Sequence, residues 1–444
     1  MSDVGTILVG DLVKEGIVEL QTGPFGSQLH AHDYVEVGVP VVPTEAIRER
    51  RINRSVLPQI SGSKAAELRK HALKANDILF ARRGVQATGH TAFVRKDETG
   101  FICSTGAIRL RVAEDNGIVL PEFLSHVFAD RTSIEWFKFH AIGATMPNLN
   151  EGIVKSFPLL LPPIDEQKSI GEALSALDDK IELNRRMNET LEEMARALFR
   201  DWFVDFGPTR RQMEGATDPA AIMGHAFPPE KAATLVPLFP AGLGADGLPE
   251  GWGMGRLDDW AVSSSNTVKP EEVEQETSYI GLEHMPRRSI ALGQFATAAK
   301  VTSNKARFHT GQVLFGKLRP YFHKVGIAPC DGICSTDIVV ADGKKKEFRP
   351  FVATLMSTNE FVAYTNQSST GTKMPRTSWK LMRAYAVPKA PLELVQVFGD
   401  LAQPMHDKIL HSVSENQTLA ALRDLLLPNL MSGEVQLKDA EPVL

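Results

Sequence analysis

The sequence predicts an α+β protein built twice: two mixed α/β globular units separated by two long helices, related by a pseudo-two-fold internal duplication. Three observations predict it. First, Ile164 to Phe206 reads as one amphipathic helix, with apolar residues at Ile170, Leu174, Leu177, Ile181, Leu191, Met194 and Leu198 in a 3-4 alternation that Asn184 and Asn188 interrupt. Second, adding 228 to each number gives Phe398, Ala402, Met405, Ile409, Leu419, Leu422 and Leu426, interrupted at Ser412 and Asn416, so a second helix has the same phase and the same polar break. Two matched seams in one chain are natural partners, each on a rod of roughly 50 to 60 Å. Third, the repeat extends upstream of both helices. Gly143, Met146, Pro147 and Pro163 recur as Gly371, Met374, Pro375 and Pro391; DILFARRG from Asp77 resembles QVLFGKLRP from Gln312; and FICST from Phe101 resembles GICST from Gly332. With VVPTEAI before Arg48 also resembling YIGLEHM before Pro286, the offset drifts from 238 through 235 and 231 to 228, as loop-length changes between two copies would produce.

Taken in order, residues 1–160 form the first unit, read as short strands and turns with helix toward its end. TGPFGSQL from Thr22 is a turn-rich segment whose glycines could bring backbone amides close to a phosphate. ILFARRG is a buried strand that delivers Arg82 and Arg83 into the next loop, punctuated by Gly84. Trp136, Phe137 and Phe139 fall at a spacing that suits a helix core. The first spacer helix occupies 161–206. Residues 207–250, dense in Gly, Pro and Ala, read as an extended, partly ordered connection back to the second unit. That unit spans 251–390, where VLFGKLRP delivers Lys317 and Arg319 ahead of Pro320. The second spacer helix spans 391–432, and the polar tail 433–444 is expected to fray.

Charge separates the parts. The net charge is −5, yet Thr44 to Lys96 holds twelve Lys or Arg against four acids, and Thr297 to Val325 holds six against none. Asp165 to Phe206 carries eleven acids against six bases. A basic stretch beside the same LF motif in both copies points to a polyanionic partner. His71, His309 and His323 are expected on that basic surface.

Several chemistries are excluded by their missing signatures. GSK at Gly62 and GTK at Gly371 lack the rest of a phosphate loop. Pro162-Pro163 lacks the preceding Asn or Asp of an adenine methyltransferase. Asp165, Glu166 and Lys168 resemble a nuclease set only superficially, since they fall in a helix first turn, where acids favour the dipole. Cys330 and Cys334 have no companions to complete a zinc site, and three cysteines fit a reducing compartment. With no leading basic and apolar segment and no run of 18 apolar residues, the chain reads as soluble, cytoplasmic and free of membrane contact.

The order of these motifs resembles the DNA-specificity subunit of type I restriction-modification enzymes. The residues that carry the resemblance are GPFGS near the start, LPPIDEQKSI with the helix behind it, LFRDWFVDF, the LPEGW restart, and VLFGKLRPYFHKVGIA followed by DGICST. The second helix departs from the pattern, opening PLELVQVF without the equivalents of Glu166 and Gln167. The resemblance implies two target recognition domains, each reading half of a split duplex-DNA site, and two helices packed as an antiparallel coiled coil that set the gap. It implies a non-catalytic chain that binds no cofactor itself. Two modification subunits would bring S-adenosylmethionine, and restriction or translocase subunits would use ATP and Mg. The candidate DNA contacts are Arg82, Arg83, Lys305, Arg307, Lys317, Arg319, Lys373 and Arg376. A coiled-coil scaffold with two protein-binding heads is the alternative; it leaves the paired basic stretches without a role.

Overall fold

The computed structural model describes residues 6–26, 28–143, 145–264, 266–371, 374–432 and 435. It is mixed α/β, with two β-sheet units: Met1–Asp179 with Leu419–Leu444, and Lys180–Thr418. The two long helices, Ile164–Phe203 and Leu392–Ser432, each contribute a segment to both units. Among the described residues no helix is long and apolar enough to cross a membrane.

In the first unit an antiparallel sheet runs in the order Val18–Thr22, Ala107–Val112, Ile78–Ala81, Thr91–Phe93. The strand Ile78–Ala81 is buried on both faces, which explains its unbroken apolar run. Ile78 and Phe80 enter a core with helix residues Phe123, Phe128, Ile170 and Leu174, while Leu79 and Ala81 enter a second core with Val42, Ala92 and Cys103. A second sheet joins Ile102–Cys103, Val39–Val42, Gln59–Ile60 and Tyr34–Val35, its first pair parallel. A short ladder between Thr6–Leu8 and Pro158–Leu160 closes the unit just before the first long helix.

The second unit repeats this plan. Ala261–Ser264, Ile338–Gly343, Val313–Gly316 and Val325–Ile327 form the four-stranded sheet in the corresponding order. Val313 and Phe315 face one core and Leu314 another, the alternation of the first unit. Gly253–Arg256 pairs with Ala386–Lys389 as the closing ladder. A five-stranded sheet, enlarged by Thr267–Val268 and Lys305–Phe308, replaces the smaller one.

Within each unit the long helices pack antiparallel. In the first, Asp178 meets Arg423, and Ile170 and Leu174 share a core with Leu427 and Leu430. In the second, Asn184 meets Asn416 and Phe199 meets Phe398. Leu177, Ile181, Leu191, Met405 and Leu419 are half-buried and Ile409 is buried. Two seam positions fail: Leu422 is 42% and Met194 50% exposed. A straight helix drifts about 20° per heptad from a 3.5-residue repeat, so burial passes to Leu427 and Leu430 on the second helix and to Ala195 and Phe199 on the first.

The segment 207–250 is not extended. It forms helices Gly207–Met213, Pro219–Ile222 and Pro229–Leu235, each with proline in its first turn, where no amide is needed. Ile222, Met223, Leu235, Phe239 and Leu248 enter the core that holds Trp202, Phe203 and Trp252. Helices of four to seven residues are too short to show an amphipathic period. Asp201 and Arg211 fix the chain reversal with two parallel hydrogen bonds of 2.9 Å.

Candidate nucleic-acid interface

Both heads build the same loop on the same strand. In the first, the strand ending at Ala81 continues into Arg82 and Arg83; the Arg82 carbonyl accepts the Leu149 amide at 2.9 Å, and Arg83 bridges Asn148. In the second, the strand ending at Gly316 continues into Lys317 and Leu318; the Lys317 carbonyl accepts the Thr377 amide at 3.1 Å, and Leu318 bridges Arg376. A second strand-like turn backs each loop, Ile142 pairing with Asn148 and Thr370 with Arg376. The 228-residue correspondence between Asn148 and Arg376 therefore holds at the level of individual backbone hydrogen bonds.

The candidate cations divide by how far each is engaged inside its head. Arg83, Arg307 and Arg319 are exposed. Arg82 is half-buried, its Nε donating to Asn148 Oδ1 at 3.1 Å and to the Leu149 carbonyl at 2.9 Å; burial, then the neighbouring Arg83 charge, lowers its pKa. Lys317 donates to the Thr336 carbonyl at 2.5 Å, and burial followed by Arg376 lowers its pKa against the opposing pull of Asp337. Arg376 is exposed but pairs with Asp337 at 2.6 Å. Lys305 is buried, donating to the Ser303 carbonyl and hydroxyl at 2.8 and 2.7 Å, with its ammonium 5.7 Å from the Tyr279 ring centre. A strand residue whose alternation points it inward cannot present its charge, whatever the local composition. Lys373 lies outside the described residues.

Other expectations resolve in the same way. His323 is buried, not superficial: its Nε2 lies 2.9 Å from the Ser357 carbonyl, and burial lowers its pKa. Gly23 is required for close approach, since a Cβ there would lie 1.9 Å from the Ser104 carbonyl oxygen. That gives Gly23 a packing role, whereas a Cβ at Gly26 would meet open space. Phe137 is buried in the core, whereas Phe139 on the same helix is 85% exposed. Composition did not single out Arg287, whose guanidinium lies 4.2 Å from the Phe322 ring centre and joins Arg319 and Lys324 around one turn. Its signal was present in Pro286-Arg287-Arg288, outside the acid-free stretch.

Between the helices the polar break is buried. In the second unit Asn184 Nδ2 donates to Glu415 Oε2 at 2.7 Å and to Asn416 Oδ1 at 2.9 Å, and Asn416 Nδ2 reaches the Ile181 carbonyl at 3.4 Å. Asn184 Oδ1, Asn188 Oδ1 and Ser412 Oγ are buried with no hydrogen-bond partner among the described residues. In the first unit Gln167 holds helix to head, its amide spanning the Leu120 amide and the Ile118 and Pro162 carbonyls at 2.9 to 3.0 Å. Its counterpart at the 228 offset, Val395, is buried in an apolar core, so the sequence departure at this position changes the chemistry of the tie.

Residues 31–193 match the family model described as the type I restriction modification DNA specificity domain. The chain is 27% identical over 432 residues to the type I restriction enzyme HindI specificity subunit of Haemophilus influenzae, covering 82% of this chain and 88% of that one. It is 24% identical over 332 residues to the MjaIX specificity subunit of Methanocaldococcus jannaschii, covering 72% and 70%. Its fold is similar to that of the type-I restriction-modification system S subunit from M. genitalium, with a TM-score of 0.53 at 15% identity and 97% of each chain covered.

Proposed function

We infer the function from one premise: the chain belongs to the type I restriction-modification specificity (S) subunits, the non-catalytic components that give such systems their DNA specificity. We propose that its two heads, residues 1–160 and 251–390, each read one half of a bipartite duplex target, and that the helices within 161–206 and 391–432 hold the gap between the halves. Modification subunits, two per chain, dock on this scaffold and use S-adenosylmethionine to methylate adenine. Restriction or translocase subunits join with ATP and Mg.

The observation that carries the DNA reading is the repeated loop. Two heads whose sequences have diverged keep the same backbone hydrogen bonds at Arg82 and Lys317, and each sets an exposed arginine, Arg83 or Arg319, beside that loop. Exposed guanidiniums contact phosphates and fix register; base edges supply sequence. Arg82 and Lys317 hold the loop while Arg83, Arg307, Arg319 and Arg376 meet the duplex.

The test uses the assembled methyltransferase. Changing Arg83 and Arg307 to Ala should weaken duplex binding and flatten the dependence of log affinity on log salt by about 0.9 for each lost phosphate contact, with subunit assembly intact. Unchanged affinity and slope at moderate salt would show that these loops do not face DNA.

A further inference from the structure

The turns that follow the two loop strands share a backbone hydrogen bond at the same step but differ in side chains and by one residue in length, Phe80 pairing with Thr91 and Phe315 with Val325. In the first head the Ala87 amide donates to the Gly84 carbonyl at 3.2 Å; in the second the Phe322 amide donates to the Arg319 carbonyl at 2.9 Å. The 235 offset that aligns the strands also aligns Gly84 with Arg319, Val85 with Pro320, Gln86 with Tyr321 and Ala87 with Phe322. Gly84 has φ +105° and Arg319 has φ +49°, so both heads need the left-handed region at the same step. Glycine adopts it freely and arginine does not. His323, at the far end of the second turn, is also left-handed, with φ +52°.

The second head braces this strained turn. His323 is buried against the Ser357 carbonyl at 2.9 Å. The Phe322 ring has the Arg287 guanidinium 4.2 Å and the Arg319 guanidinium 5.9 Å from its centre. Tyr321 packs edge-on against Phe322 at 4.7 Å yet stays 49% exposed. Phe322, flanked by the two guanidiniums, is the ring against which the half-exposed Tyr321 packs, so the tip presents an aromatic face beside two cations. Non-glycine residues in left-handed backbone cluster at functional sites because the surroundings must enforce them. The cations identify the partner as a polyanion, and the ring adds a rigid apolar face that a phosphate backbone alone would not use.

We propose that this turn is where each head reads bases: Tyr321 touches base edges in one half-site, Gln86 does so in the other, and Arg319 and Arg287 anchor the flanking phosphates. The proposal rests on the DNA-specificity reading and assigns the specificity within it. Related turns with different tip residues give the two heads different half-sites while the supporting sheets keep their strand order. A glutamine amide suits bidentate reading of adenine, whereas a tyrosine ring suits apolar contact with a thymine methyl group.

The experiment selects a duplex pool of random sequence with the assembled methyltransferase carrying the wild-type chain, Tyr321→Ala, Gln86→Ala or Arg319→Gly, and sequences the recovered DNA. Tyr321→Ala should relax one or two adjacent base pairs in one half of the target by roughly ten- to hundredfold in discrimination, the size of a single base contact, and leave the other half unchanged. Gln86→Ala should relax the other half alone. Arg319→Gly gives the second head the residue that the first already carries at this step; it should weaken binding to all sequences evenly and keep the target. Recovery of the wild-type target by both tip variants, or an even loss across all sequences from Tyr321→Ala, overturns the assignment. A wild-type complex that selects no sequence overturns both this assignment and the DNA-specificity reading beneath it.

Discussion

Replacing Asp178 by Asn is expected to cost the first unit about 2 to 4 kcal/mol. Asp178, buried on the first long helix, pairs with Arg50 from the head and with Arg423 from the second long helix, the latter at 2.8 Å. Arg50 and Asp178 are 8% and 3% exposed, so both have lost most of their water. Removing one partner of such a pair leaves an uncompensated charge and typically costs about 3 to 5 kcal/mol. Three features reduce that figure here. Asn keeps an acceptor in place, Glu122 lies 3.8 Å from Arg50, and Arg423 also pairs with Asp424 at 2.7 Å. Burial pushes the Asp178 carboxyl up, but the Arg50 and Arg423 charges outweigh it and hold the group below its ordinary 3.8. A carboxyl depressed in the folded state contributes stability that is complete above its unfolded pKa and is lost as pH falls through the folded one. The gap between wild type and Asp178→Asn should therefore be full at pH 7 and begin to close only below about pH 4. Urea unfolding of the full chain, followed at several pH values, measures it. A cost below about 0.5 kcal/mol at pH 7, the range of an ordinary surface change, would refute the reasoning.

Three further outcomes are expected. Replacing Asn184, Asn188, Ser412 and Asn416 together by Leu should raise the melting temperature, since each relieved orphan group is worth about 1 to 3 kcal/mol; sedimentation should then reveal self-association, and an unchanged oligomeric state would deny the polar break a role in register. Gly23→Ala should destabilise the chain by about 1 to 3 kcal/mol, because its Cβ would sit 1.9 Å from the Ser104 carbonyl oxygen; an unchanged melting temperature would mean that this strand end yields freely. Four residues inserted between Lys180 and Arg186 lengthen one helix by about 6 Å, against a base-pair rise of about 3.4 Å, so maps of methylated adenine should show the same half-sites with about one more base pair between them; an active variant with the original gap would deny the helices their spacer role.

Much of this architecture is legible because it rests on periodicity. The seam positions Ile170, Leu174, Phe398 and Ile409 are buried, and the paired strands at Ile78 and Val313 sit where their apolar runs require. The rest depends on information that sequence contiguity does not carry. Lys305 belongs to an acid-free stretch, yet its strand turns it inward; Arg287 lies outside that stretch, yet the turn at Phe322 brings it beside Arg319. The short helices of 207–250 bury their apolar residues against Trp202 and Trp252, contacts no local window contains. Asp178 reads as one more acid on an acidic helix because its arginines are remote in sequence.

The two copies have kept their geometry while exchanging the chemistry that ties head to helix. At the 228 offset Asp178 corresponds to His406 and Gln167 to Val395. The first unit uses directional polar contacts: Gln167 satisfies three backbone groups, and Asp178 gathers two arginines. The second uses an aromatic core of Phe199, Phe203, Phe351 and Phe398 together with buried Glu192, which accepts from the Ser289 hydroxyl of the head at 2.7 Å, and His406 is buried with its pKa lowered to about 4 by burial, so it stays neutral at physiological pH. Under the proposed base-reading role, different tips at Gln86 and Tyr321 require each anchor to hold its head at a constant orientation to its own helix segment. The backbone hydrogen bonds of the loops match between the copies while the side chains around them differ, Arg82 against Lys317 and Gln86 against Tyr321.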